Sequence, residues 1–274
     1  MTVSVTFWGV RGSIPCCSTE YTEYGGNTAC VQIDLDGTAF VLDVGSGSRT
    51  LGELLTRQKT KDISLLISHM HWDHICGFPF FLPIFDKDTG IRVYAPFQPD
   101  GSSAQRILTR LMSSPFFPLP LKSVPCTLHF ENFHPSANFD LPEKGVRIET
   151  FPLTHPNGAS GYRLNYNGKS VSYVSDYEHG EKGAAEELSG FVKDSDLMIY
   201  DAMYTPEEYS RFAGWGHSTW EQAARLTEAA NVKQTFLFHH APTHTDDFMR
   251  EVDRQAKAFD ARLSVAKENT TVVL

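Results

Sequence analysis

At 274 residues, with 41% hydrophobic and 21% charged side chains, the chain has the make-up of an ordinary globular protein, large enough to bury a sizeable core. Its net charge of −9 gives no general electrostatic footprint for polyanions, so DNA is not expected as a partner and RNA is the weaker expectation. Met1–Val10 lacks the basic and apolar regions of a signal peptide, no apolar run reaches membrane-spanning length, and the five cysteines form no CxxC pair; these features suit a cytoplasmic protein with no membrane partner.

Val3–Trp8 alternates apolar and polar residues and reads as a first strand. The loop Gly9–Gly26 follows, rich in Gly, Pro and Ser, and holds Arg11-Gly12-Ser13 and the vicinal Cys16-Cys17, read as reduced thiols. Ala29–Leu35 and Thr38–Val44 flank Asp36-Gly37, a hairpin signal. The second of these strands ends in Asp43-Val44-Gly45-Ser46-Gly47 before a helix over Ser48–Gln58. Such a turn can offer N–H groups to an anion, although a purely geometric turn is the stronger reading. A strand over Ile63–Ser68 then runs into His69-Met70-His71-Trp72-Asp73-His74, three imidazoles and a carboxylate within six residues. Neutral imidazole and carboxylate suit Zn, Mn or Fe, and the lack of thiolates argues against a structural zinc finger.

His74–Phe85 reads as a helix start disturbed by Pro79 and Pro83, Ile91–Ala95 as a strand and Ser102–Met112 as a helix. The proline-rich stretch Ser114–Pro125 excludes regular structure and reads equally as a lid, a homodimer contact or a packed loop. Its Phe116 and Phe117 are candidates for stacking on a substrate ring. Gly145–Leu153, Gly161–Tyr166, Ser170–Ser175, Leu197–Tyr200 and Gln234–Phe238 are strand-like; Ala184–Val192, Ser218–Ala230 and Asp246–Phe259 read as helices. With no repeat or linker, residues 1–274 read as a single α/β domain, two mixed sheets flanked by helices.

One pattern recurs along the chain. Apolar strands run into ligand-type residues at His69, at His155, at Asp176 and at His239-His240. Two sheets packed with these strand ends at one edge bring all four sets together. Adjacent residues on a strand point oppositely, so only one of His239 and His240 can serve, and His239, directly after Phe238, is favoured.

His69-x-His71-x-Asp73-His74 resembles the HxHxDH signature of the metallo-β-lactamase superfamily. The resemblance implies an αββα sandwich with two divalent ions, by default Zn, with Mn and Fe as alternatives. One ion would be held by His69, His71 and His155, the other by Asp73, His74 and His239, with Asp176 and a hydroxide between them. Asp73 would also belong to the catalytic set, and Asp43 would orient a ligand histidine. Asp196–Tyr204 and Gly216-His217-Ser218-Thr219 resemble segments of the ribonuclease Z branch, which implies His217 as proton donor, assisted by Asp201. His155 and Asp176 lie only 21 positions apart, too close for the tRNA-holding arm of ribonuclease Z. The expectation is therefore a phosphodiesterase of the PhnP type acting on a small or cyclic phosphodiester. A ribonuclease Z-like RNA endonuclease and a lactonase are the alternatives.

Overall fold

The computed structural model describes residues 2–141, 144–180 and 182–274. In the first sheet β1 (Val3–Gly9), β2 (Cys30–Leu35) and β3 (Thr38–Leu42) pair antiparallel. From β3 the sheet continues in parallel through β4 (Asp62–Leu66), β5 (Gly90–Pro96) and β6 (Thr127–Phe133). The second sheet repeats that grammar. An antiparallel run β7 (Asn138–Leu141), β8 (Val146–Leu153), β9 (Ala159–Tyr166), β10 (Lys169–Val174) passes into parallel β11 (Leu197–Asp201), β12 (Thr235–Phe238) and β13 (Leu263–Val265). β14 (Thr271–Val273) returns to the free edge of β1, antiparallel to it. The hairpins β2–β3 and β9–β10 turn on Asp36-Gly37 (φ 49° and 89°) and Asn167-Gly168 (φ 49° and 74°), the paired left-handed conformation that asparagine, aspartate and glycine tolerate best.

The sheets face each other across an apolar layer in which Phe7 meets Phe236 at 5.0 Å and Tyr94 stacks on Phe139 at 5.4 Å. Burying each such side chain contributes about 1.5–3 kcal/mol. Outside the first sheet, α1 (Ser48–Arg57) packs Leu51 and Leu55 onto Ile63, Leu65 and Val93. A four-residue α2 (Trp72–Ile75) and α3 (Ala104–Leu111) complete that layer. Outside the second sheet, α4 (Lys182–Val192), α6 (Trp220–Ala229) and α7 (Asp246–Phe259) pack on Met198, Tyr200 and Leu237, and α5 (Pro206–Phe212) lays Tyr209 and Phe212 against Met203, Tyr204 and Ala241. The result is the αββα sandwich. No helix among the described residues is long and apolar enough to cross a membrane.

Local departures have local causes. The expected helix over His74–Phe85 is α2 followed by 3₁₀ turns at Phe78–Phe80 and Leu82–Phe85, each carrying proline near its start. The Ser114–Pro125 loop contains one 3₁₀ turn, Leu121–Ser123. β6, β7, β13, β14 and α5 have no counterpart in the sequence reading.

Candidate metal centre

The functional residues stand at the C-terminal ends of strands that point the same way in each sheet. Asp43 follows β3, His69–His74 follow β4, His155 follows β8, Asp176 follows β10, Asp201 ends β11 and His239 follows β12. Asp43, Asp176 and His239 leave their strands in the left-handed region (φ 58°, 60° and 62°). That conformation turns each side chain out of the pleat, and for non-glycine residues it is held only where its surroundings fix it.

All seven ligand candidates converge. His69, His71 and His155 form one group, with His155 Nε2 3.0 Å from His71 Nδ1. Asp73, His74 and His239 form another, with His74 Nε2 3.2 Å from His239 Nε2. Asp176 lies between them. Its Oδ1 is 3.5 Å from His155 Nε2 and 3.8 Å from His69 Nε2; its Oδ2 is 3.1 Å from His74 Nε2 and 3.4 Å from His239 Nε2. His240 points elsewhere, toward Ala266 O at 2.9 Å; both histidines lie beyond the end of β12, and the left-handed turn at His239 is what parts them.

A second ring of contacts holds these groups. Asp43, fully buried, accepts from Ser68 N (2.7 Å), Ser68 Oγ (2.8 Å) and Tyr173 OH (2.8 Å), and its Oδ2 meets His74 Nδ1 at 2.7 Å. The Asp43 carboxylate thus fixes which nitrogen of His74 faces the cluster. His155 Nδ1 donates to Gly216 O at 2.8 Å, and Ser13 N donates to Asp73 Oδ2 at 2.7 Å. Beside the cluster, His217 Nδ1 lies 2.8 Å from Asp201 Oδ2, and that carboxylate also accepts from Tyr177 N and Met203 N. The His217 ring stacks on His239 at 5.0 Å.

The electrostatics ask for positive charge. Burial opposes ionisation of Asp176 and Asp73, yet nearby histidines (His239 and His74 above all) outweigh it and hold both well below the usual carboxylate range. Burial likewise opposes a charge on His74, but Asp176, Asp73 and Asp43 together push its pKa well above that of free imidazole. At His217, burial is outweighed by Asp201, Asp176 and Asp73, which raise it to about 9. His69 is held well below its ordinary value, by burial first and then by its histidine neighbours. Its Nε2 is buried without a hydrogen-bond partner among the described residues. Facing imidazole nitrogens, an orphaned ring nitrogen and a deprotonated carboxylate between two groups fit divalent cations.

Several residues that shape the site have no role assigned to them by the sequence alone. A Cβ on Gly12 would come within 2.3 Å of the His239 ring, and one on Gly216 within 2.3 Å of His155 Nδ1. Glu178 holds the Gly214–Gly216 segment, accepting from Gly214 N (2.5 Å) and Gly216 N (2.8 Å). Buried Arg11 ties the Gly9–Gly26 loop to the segment after His239 through Gly25 O (2.8 Å) and His244 O (2.6 Å). The glycine-rich turn after Asp43 offers no anion site, because Val44 N, Gly45 N and Ser46 N donate to His74 O, Ala29 O and Thr28 Oγ1. The mouth, about 360 Å³, is lined by Ser13, Pro156 and Trp215 together with the clustered ligands, and the Ser114–Pro125 loop does not reach it. Phe117 instead packs edge-on against Phe80, and Phe116 is exposed beside Trp72. Cys16 and Cys17 are free thiols.

The sequence matches the beta-lactamase superfamily domain over residues 40–240. Among curated relatives, ribonuclease Z of Haloarcula marismortui is 22% identical, covering 98% of this chain and 96% of its own. Ribonuclease Z of Clostridioides difficile is 26% identical, covering 88% and 89%. Among solved structures, the metallo-beta-lactamase fold protein YhfI from Bacillus subtilis superposes with a TM-score of 0.74 at 17% identity over 100% of both chains. A diphosphatase from the PhnP family gives 0.71 at 18% identity over 98% and 97%. At those identities the superpositions speak for the fold alone. The chain belongs to the metallo-β-lactamase superfamily and, with relatives named ribonuclease Z matching it over most of its length, is a metal-dependent hydrolase.

Proposed function

We propose that the enzyme hydrolyses phosphodiesters at a two-cation centre held by His69, His71 and His155 on one side, Asp73, His74 and His239 on the other, and Asp176 between. The observation that carries this reading is the His217–Asp201 pair packed against that cluster at the mouth. Bound cations of this kind, Zn by default, lower the pKa of water and take up charge on phosphate oxygens. The protein's own part begins with placement, because ligands fixed at strand ends and braced by Asp43, Gly216 and Ser13 need little rearrangement. Asp201 occupies Nδ1 of His217 and leaves Nε2 for a departing oxygen. With its pKa raised to about 9, His217 carries a proton at neutral pH and can donate it there. A lactonase would share the ligands but has less need of this acid.

On the substrate, the relatives named ribonuclease Z support RNA better than they support a small diester. One structural observation favours the small diester: β9 and β10 are joined by the two-residue turn Asn167-Gly168, so no arm stands between His155 and Asp176 to grip a folded RNA. The test is a panel on metal-loaded protein: precursor tRNA, cyclic mononucleotides and an acyl lactone. Turnover of either phosphodiester class supports the proposal, and lactone hydrolysis with no phosphodiesterase activity overturns it.

A further inference from the structure

Beside the metal cluster lies a second cavity, about 560 Å³, walled by Pro96, Phe97, Gln98, His134, Pro152 and Asn157 among others. Three features place it functionally. First, it lies at the same sheet edge as the site: β4 ends toward His69, and its parallel neighbours β5 and β6 end toward Phe97 and His134. In open α/β sheets ligands gather outside the carboxyl ends of such strands. Second, it adjoins the site along the chain. Gly158 N donates to His155 O in a tight turn, which keeps this wall within about 7 Å of His155 along the backbone. Asn157, on the same turn, reaches His71 with its amide nitrogen 3.3 Å from Nε2. Third, its chemistry is selective. Phe97 and His134 lie ring to ring at 5.2 Å with planes 35° apart, the carboxamides of Gln98 and Asn157 border them, and among the described residues no Asp, Glu, Lys or Arg lines the cavity.

An aromatic wall bordered by carboxamides suits a flat ring with hydrogen-bonding edges. We infer that this cavity is a nucleobase subsite, which takes the base on the part of the substrate that stays bonded to phosphorus. The assignment to the retained side rests on the proposed phosphodiesterase reading. Asn157 of the cavity wall contacts His71, whereas the proposed proton donor His217 contacts Asp201 and the His155 and His239 rings and none of the described residues that line the cavity. Both substrate readings, RNA and cyclic nucleotide, supply a base for it.

Two esters with one leaving group isolate the subsite: thymidine 5′-(p-nitrophenyl phosphate) and methyl p-nitrophenyl phosphate. On metal-loaded protein, Phe97→Ala and His134→Ala should each lower kcat/KM for the thymidine ester about tenfold, as expected for loss of one stacking partner, and leave the methyl ester within about twofold. Metal content should not change. Equal losses on both esters, or no loss on the thymidine ester, overturn the subsite. If wild-type protein hydrolyses neither ester, the phosphodiesterase reading fails for these substrates, and calorimetric titration with thymidine still decides the subsite. Binding by wild type that weakens in Phe97→Ala supports it, and absent or unchanged binding rejects it.

Discussion

Asp43 and His217 act on the centre from outside the proposed ligand set, and each gives a separable prediction. Three donors converge on the carboxylate of buried Asp43 besides His74, and its charge helps the neighbouring carboxylates hold a cation at His74. Asp43→Asn keeps the shape but turns one acceptor into a donor facing other donors. We expect metal retention about 10–100-fold weaker, read by chelator competition. The buried mismatch should also cost about 1–3 kcal/mol in chemical unfolding. Unchanged retention would mean that His74 needs no such partner. His217→Ala should lower turnover of esters with poor leaving groups about 10²–10⁴-fold, with a much smaller loss on an activated nitrophenyl ester. His217 also falls within two of the clustered groups that could hold a metal, so metal content must be measured on the same variant. Loss of metal with equal loss on both esters would make His217 a ligand and not an acid.

At the scale of elements, the centre depends on loops that press backbone against imidazole. A methyl group on Gly12 would come within 2.3 Å of the His239 ring and 2.7 Å of Met203 Cε, so it cannot fit unless they move. Gly12→Ala should therefore lose metal and activity at least about tenfold while keeping its fold by circular dichroism. Gly37→Ala is the control: φ is 89° there but nothing lies within 4 Å, so it should cost about 1 kcal/mol of stability and leave activity alone. Equal retention of metal in both variants would show that the His239 ring tolerates displacement. These contacts also explain what the sequence hides. His69–His74, Asp36-Gly37 and Asn167-Gly168 are legible because their chemistry is local. The fit of Gly12 to His239 joins residues more than two hundred positions apart and leaves no local trace. β13 and β14 have three residues each, too few to show a period, and β6 alternates only half-buried with exposed positions until Phe133. α5 is seven residues long and fully without buried positions, although its capping box Thr205–Glu208 is a readable start signal.

For the whole molecule, the centre joins the sheets: His69–His74 come from the first, and His155, Asp176 and His239 from the second. Cations that bind only this folded arrangement should stabilise it by about 2.7 kcal/mol at a hundredfold excess over Kd. Chelation should therefore lower the thermal midpoint, and it should do so far less in Asp176→Ala. An equal shift in both would place the stabilising metal elsewhere. The molecule's charge bears on how the substrate is held. Tight binding to a long nucleic acid draws on many Lys and Arg contacts to phosphate and weakens steeply as salt displaces them, by about 10³–10⁵ between 50 and 200 mM for six to ten contacts. The balance of 24 basic against 33 acidic residues and the two-residue turn between β9 and β10 do not favour such contacts. A diester gripped by two cations and one base pocket should instead show kcat/KM that changes no more than about threefold over that range. We expect this flat profile for a cyclic mononucleotide, and precursor tRNA cleaved more slowly at every salt concentration. Faster cleavage of tRNA with a steep salt slope would show that the basic residues assemble into a track on the folded surface despite the net charge, and the substrate would then be RNA.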